Sequence, residues 1–193
     1  REMGDYHLIV VSNRQPYIHN LIDGDLRYVV PSGGLITALD PLMQECGGSW
    51  VAHGGGNGDW YAVDDKNRVM VPPDDPRYTM RLVWLTEEEE RGYYYGFSNE
   101  ALWPLCHNAY IEPAFDANDW ETYKAVNQVF ADQVLEEIDG RPAAVFTQDY
   151  HLALLPRLIR NADPNIVTGQ FWHIPWPSPE IFRICPWQTE LLD

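Results

Sequence analysis

Cysteine is scarce. Cys46, Cys106 and Cys185 are the only three in 193 residues. An odd count, wide spacing and no C-x-x-C speak against a disulfide framework or a zinc knuckle. Each thiol is expected to be a small buried apolar residue. Positive charge is scarce too: 13 Lys and Arg against 29 Asp and Glu leave a formal net charge of −16. Such a surface repels nucleic acid and anionic membranes, so neither is expected as a partner. An anionic small ligand would need a local pocket of arginine and backbone N–H groups. No apolar run approaches the ~20 residues that cross a bilayer. Arg1 to Tyr6 is polar, unlike a signal peptide, and the chain is therefore expected to be cytoplasmic. The glycine-rich loop His53–Gly58 (HGGGNG) has no lysine and lacks the P-loop spacing, so it reads as a mobile surface loop.

What is abundant is aromatic: eight Trp and eleven Tyr, which pack cores and also stack on sugar rings. His7–Val11 (HLIVV) and Ala143–Thr147 (AAVFT) read as buried parallel strands. Further strands are expected at Leu26–Val30, Trp50–Ala52, Val69–Val71, Arg81–Leu85 and Ile166–Trp172. Helices are expected at Leu35–Glu45 (Ser32 as N-cap; Leu35, Leu39 and Leu42 inward), Asn99–His107, Trp120–Ile138 and Leu152–Arg160. Trp120–Ile138 should turn Tyr123, Val126, Phe130 and Val134 to the core. Thr86 to Glu89 fits a capping box. Strands alternating with helices predict an α/β, Rossmann-like, mostly parallel sheet with helices on both faces. The chain ends at Leu191-Leu192-Asp193 inside a helical pattern. It reads as a single domain, 1–193, cut from a longer protein.

In open parallel sheets ligands bind beyond the carboxyl ends of the strands. Four polar clusters fall there. Arg14 follows the first strand and suits a phosphate, although a surface arginine is the plainer reading. Gly33-Gly34 open a helix, where free N–H groups attract anions, or they serve a tight turn. Asp149-Tyr150-His151 follow AAVFT; Asp149 suits a sugar hydroxyl or proton transfer, or caps a helix. His173 sits before Pro175 and Pro177 and can donate to a sugar or phosphate oxygen. Asp149, His53, His107, His151 and His173 match no metal-ligand spacing, so neither a metal nor a cofactor is expected.

Several strings, in order, resemble the trehalose-6-phosphate synthase family. They are Val11-Ser12-Asn13-Arg14, Pro31-Ser32-Gly33-Gly34-Leu35, Tyr93 to Asn99 running into Leu102-Trp103-Pro104, Trp120 to Asp132, Gln148 to Leu152, and His173 to Pro177 with Glu180-Ile181-Phe182. The resemblance covers the chain from about His7 to its end. It implies the amino-terminal domain of a GT-B glycosyltransferase, a hexosyltransferase joining glucose from UDP-glucose to glucose 6-phosphate with retention. It implies that Arg14 holds the acceptor phosphate, with Tyr94 a further phosphate contact and Trp103 an acceptor-pocket aromatic. Asp149, with Tyr150 beside it, meets the acceptor sugar. Gly33 and Gly34 lie near the donor diphosphate, and His173 contacts the donor glucose. Asp149 and His173 would be the catalytic pair. The partners would be the two substrates and a carboxy-terminal nucleotide-sugar domain; a homo-oligomer stays open.

Two positions depart from the family pattern. His53 stands where a tryptophan usually meets the acceptor phosphate, and Gln148 replaces a usual histidine. His53 is thus an acceptor-binding candidate, implying either a histidine–phosphate contact or another phosphorylated acceptor, such as glycerol 3-phosphate. A non-catalytic phosphosugar-binding module is the third reading.

Overall fold

The computed structural model describes residues 6–192. Arg1 to Asp5 and Asp193 lie outside the described residues, and the signal-peptide reading of the start falls mostly there. Six strands form one sheet: β1 (His7–Ser12), β4 (Ser49–His53), β5 (Arg68–Val71), β6 (Tyr78–Val83), β7 (Ala143–Gln148) and β8 (Val167–Phe171), in the order β5-β6-β4-β1-β7-β8. All pairings are parallel except β5 with β6. The expected α/β fold is the fold observed.

Alternation along the strands fills two layers. Ile9, Val11, Val51 and Val145 face the larger core, with helix α5 (Ala117–Ile138) against them; Val10, Trp50, Ala52 and Met80 face the smaller. As expected, Tyr123, Val126, Phe130 and Val134 of α5 are fully buried. The smaller layer is covered by helix α1 (Gly34–Cys46) and a separate hairpin, β2 (Ile18–Ile22) with β3 (Asp25–Val29). Strand β2 was not expected, because IHNLI mixes polar and apolar residues. Its His19 is buried only because a carboxylate partners it.

The structure corrects several local expectations. Helix α1 is capped by Gly33 with no side-chain bond, so Ser32 is not its N-cap. Its buried residues are Ile36 and Met43; Leu35 and Leu39 pack half-buried against the same core as expected, but Leu42 is 45% exposed. Asp40 turns inward to accept from the hydroxyls of Tyr78 (2.6 Å) and Tyr17 (3.0 Å). Cys106 and Cys185 are buried, but Cys46, at the outer end of α1, is exposed. The Thr86–Glu89 capping box is present; it opens α3 (Glu87–Glu90), ahead of the helix expected from Asn99. The expected Asn99–His107 helix is the end of a longer run: a π-helix, Arg91–Leu102, follows α3 directly and is continued by α4 (Trp103–His107). The helix expected at Leu152–Arg160 is a 3₁₀ turn, Tyr150–Leu152, followed by α6 (Leu155–Ala162). Strand β8 is mostly exposed, since it is an edge. A short helix α2 (Asp59–Ala62) follows the glycine loop, and α7 (Pro179–Phe182) and α8 (Gln188–Leu192) follow β8. No described helix is long and apolar enough to cross a membrane.

One glycine governs the entry to β4. Gly48 has φ 105°, and a Cβ there would lie 2.2 Å from the carbonyl oxygen of Leu8. Gly48→Ala is expected to cost roughly 2 kcal/mol or more, measured as a lower urea midpoint.

Candidate active site

The carboxyl ends of β1, β7 and β8 share one side of the sheet, and their trailing loops wall a cavity of about 350 Å³. Arg14, Gly33, Gly34, Tyr94, Trp103, Asp149, Tyr150 and His173 all line it. His53 does not. It ends β4 in an adjoining cavity of about 290 Å³, which shares Asn13, Arg14, Pro31 and Tyr94 with the first and adds Glu90. Burial holds the His53 imidazole below its ordinary pKa, against the opposing pull of the Glu90 and Asp59 carboxylates.

Asp149 joins two of the loops. Its Oδ1 accepts from the backbone N–H of Tyr150 (2.9 Å) and of His173 (3.3 Å). Its own N–H donates to the Phe171 carbonyl at 2.7 Å. The residue is held at φ 72° and ψ 168°, a region used almost only by glycine. Burial raises its carboxyl above the ordinary range, partly offset by those two N–H bonds and by His173. The bond from Tyr150 N–H does cap the 3₁₀ turn, so the capping and site readings hold together.

The conformational reading of Gly33 and Gly34 fails. Gly33 has φ 169°, extended backbone open to any residue. A Cβ at either glycine would meet nothing within 4 Å. Nothing within the chain requires them to lack a side chain, whereas a ligand approaching the open N–H groups of α1 would.

Tyr94 and Trp103 are nine residues apart, two and a half turns of an α-helix at about 3.6 residues per turn, which would put them on opposite sides. In an i→i+5 helix, at roughly 4.4 residues per turn, nine residues make two turns and both face the same way. The π-helix thus brings both rings to the cavity. Tyr94 stacks on His151 with ring centroids 5.2 Å apart and 15° between planes. Burial, with the charges of Arg14 and His173, holds His151 down to about 3, so it is neutral. Tyr150 is 5% exposed and donates its hydroxyl to Asn99 at 2.9 Å. It is a wall more than a ligand hand.

Sequence reasoning missed the anchor of the glycine loop. Asp59 is fully buried and accepts from Gly56 N–H (2.6 Å), Gln15 Nε2 (2.7 Å), His19 N–H (2.8 Å) and His19 Nδ1 (3.3 Å). The loop read as a mobile surface element is therefore tied down, and its tie runs to Gln15, next to Arg14. The only signal was an acid just after a glycine run, which a solvated turn would show equally. Among the described residues no group of three or more His, Cys, Asp or Glu is placed to hold a metal.

Known proteins of one family resemble this chain along nearly its whole length. Residues 6–193 match Glycosyltransferase family 20. The trehalose-6-phosphate synthase of Mycolicibacterium vanbaalenii is 36% identical over 191 residues, 98% of this chain and 38% of that protein. That of Mycobacterium tuberculosis is 36% identical over 190 residues, with the same coverage. A solved structure described as trehalose-6-phosphate from E. coli bound with UDP-2-fluoro glucose superposes with a TM-score of 0.76 at 30% identity, over 96% of this chain and 37% of that one. An alpha,alpha-trehalose-phosphate synthase (UDP-forming) from Burkholderia xenovorans in complex with glucose-6-phosphate gives 0.71 at 28%, over 96% and 37%. The chain thus spans less than two-fifths of the length of these relatives. With the sheet, the cavity and the match along nearly its whole length, this chain belongs to glycosyltransferase family 20.

Proposed function

We propose that the chain is the acceptor-binding, amino-terminal half of a retaining glucosyltransferase that moves glucose from UDP-glucose to glucose 6-phosphate. The observation that carries this is the convergence of Arg14, Asp149 and His173, from three strand ends, on one cavity. Arg14 pairs with the acceptor phosphate, with Tyr94 beside it, and Trp103 gives an apolar face to the sugar ring. Asp149 accepts from an acceptor hydroxyl. The N–H groups at Gly33 and Gly34 face the donor diphosphate, and His173 donates to the donor glucose. No activated nucleophile stands in the cavity wall, which suits attack from the leaving-group face with the departing phosphate taking the proton. The nucleotide would be held by a second, carboxy-terminal domain, and the reaction would take place in the cytoplasm. Relatives solved with a UDP-glucose analogue and with glucose-6-phosphate support both substrates.

One observation favours a second acceptor. His53 and Glu90 line a side cavity that opens beside Arg14, and an acceptor other than a hexose phosphate would use that wall differently. An acceptor screen with UDP-glucose decides between them. With the complete protein, glucose 6-phosphate is expected to turn over faster than glycerol 3-phosphate; the reverse order would overturn the first reading. The 193-residue chain alone is expected to show no transfer, because one wall of the cleft is missing. If neither acceptor turns over in the complete protein while glucose 6-phosphate still binds, the module is non-catalytic.

A further inference from the structure

Gln148 ends β7 and is 2% exposed, yet it is part of the cavity wall. Its Oε1 lies 3.0 Å from Nε2 of His173. In that arrangement His173 Nε2–H is the donor, and the amide Nε2 of Gln148 is left buried with no partner. The nitrogen is sealed from water, so neither solvent nor a ligand in the cavity relieves it. A buried N–H without an acceptor is rarer and costlier than a buried carbonyl oxygen without a donor. A half-turn of the amide exchanges its two ends and keeps the contact. Gln148 Nε2–H then donates to His173 Nε2, and the orphan becomes a carbonyl oxygen. The nitrogen that receives this bond carries the lone pair, so the ring proton sits on Nδ1.

We propose that Gln148 is a positioning residue for His173: its amide donates to Nε2 and thereby sets which nitrogen of the neutral ring carries the proton, Nδ1, the nitrogen left to the cavity. His173 is set from both sides, since its backbone N–H is tied to Asp149 Oδ1 and its ring packs on Phe171 with centroids 4.4 Å apart. The consequence rests on the proposed function. A neutral Nδ1–H can donate to a sugar oxygen without placing a positive charge beside an anomeric carbon that is itself gaining one.

The test reads the ring nitrogens of His173 by ¹⁵N NMR on the chain as it exists, with the signal assigned by His173→Gln. In the unaltered chain Nδ1 is expected to be protonated and Nε2 to carry the lone pair. Gln148→Glu can only accept, so it should move the proton to Nε2, shifting the tautomer ratio by about tenfold or more as one hydrogen bond changes sides. Gln148→Met can neither accept nor donate well and should leave a mixture; it decides the matter if the buried glutamate prevents folding. An Nε2–H tautomer in the unaltered chain, or an Nδ1–H tautomer untouched by both variants, overturns the proposal. Adding UDP-glucose and glucose 6-phosphate to the complete protein, which also carries the nucleotide domain, separates the two readings. Unmoved His173 signals with the tautomer pattern intact would remove the sugar contact and leave the role of Gln148 standing.

Discussion

Arg14→Ala is expected to abolish measurable binding of glucose 6-phosphate, a loss of about 3 kcal/mol or roughly two decades in Kd. Arg14 is exposed at the mouth of the cavity and makes no ion pair among the described residues. Its guanidinium is therefore uncommitted when a phosphate arrives. The chain around it carries a formal net charge of −16, so the general field opposes an anion and the local cation must reverse it. Removing Arg14 leaves a dianion facing Glu90 and Asp149 across neighbouring walls. Arg14→Lys keeps the charge but loses the two-pronged geometry, and should fall between. Isothermal calorimetry measures all three proteins; an unchanged Kd in the alanine variant would remove the phosphate assignment. Thermal stability should hardly move, because the side chain supports nothing.

Asp59→Ala is expected to do the opposite, with a large loss of stability, about 3–5 kcal/mol. Four donors converge on this fully buried carboxylate, two on each oxygen. Without it, the buried N–H of His19 is left unpaired, and the half-buried N–H of Gly56 loses its acceptor. Asparagine is isosteric but should not rescue, since its NH₂ would face donors whichever way it turned. Burial pushes the Asp59 carboxyl up, but the bonds from His19 and Gln15, then those from the backbone, outweigh it and the net shift is downward. A lowered folded-state value means this stabilisation is complete above the ordinary carboxylate range, near pH 4. It is lost as pH falls further, through the folded-state value. The unfolding free energy of the parent should therefore drop in acid, and that of the alanine variant should lack this contribution. Urea midpoints at neutral and acidic pH measure both.

Much of this molecule was legible before any coordinates. HLIVV and AAVFT announce parallel strands because both faces of the sheet are covered, and the stripe from Tyr123 to Val134 repeats with the helical period. The site was legible through position: polar residues just past apolar runs converge once those runs lie side by side. What stayed hidden depends on contacts between distant segments. Strand β2 has no pattern of its own; it pairs along its length with β3, and Asp59 satisfies its buried His19. Leu35 and Leu39 pack inward as the period of α1 announces, but two tyrosine hydroxyls draw Asp40 inward and Leu42 is left exposed. Tyr94 and Trp103 share a wall only because the helix between them is wound wide, which no periodicity of the expected kind reports. His53 was placed beside the acceptor phosphate by resemblance, and β4 delivers it to a side cavity that Arg14 also lines.

A single molecule offers no record of which positions evolution has guarded, yet the backbone at Asp149 supplies a substitute. Selection acting on folding alone would favour glycine at that φ and ψ, since any side chain there forfeits roughly 1–3 kcal/mol. The aspartate stands against that gradient, offset in part by the two N–H bonds its carboxylate accepts, in a chain whose whole margin is only several times larger. On the proposed function, Asp149 is a place where the demands of work and of folding diverge, readable from one set of dihedral angles.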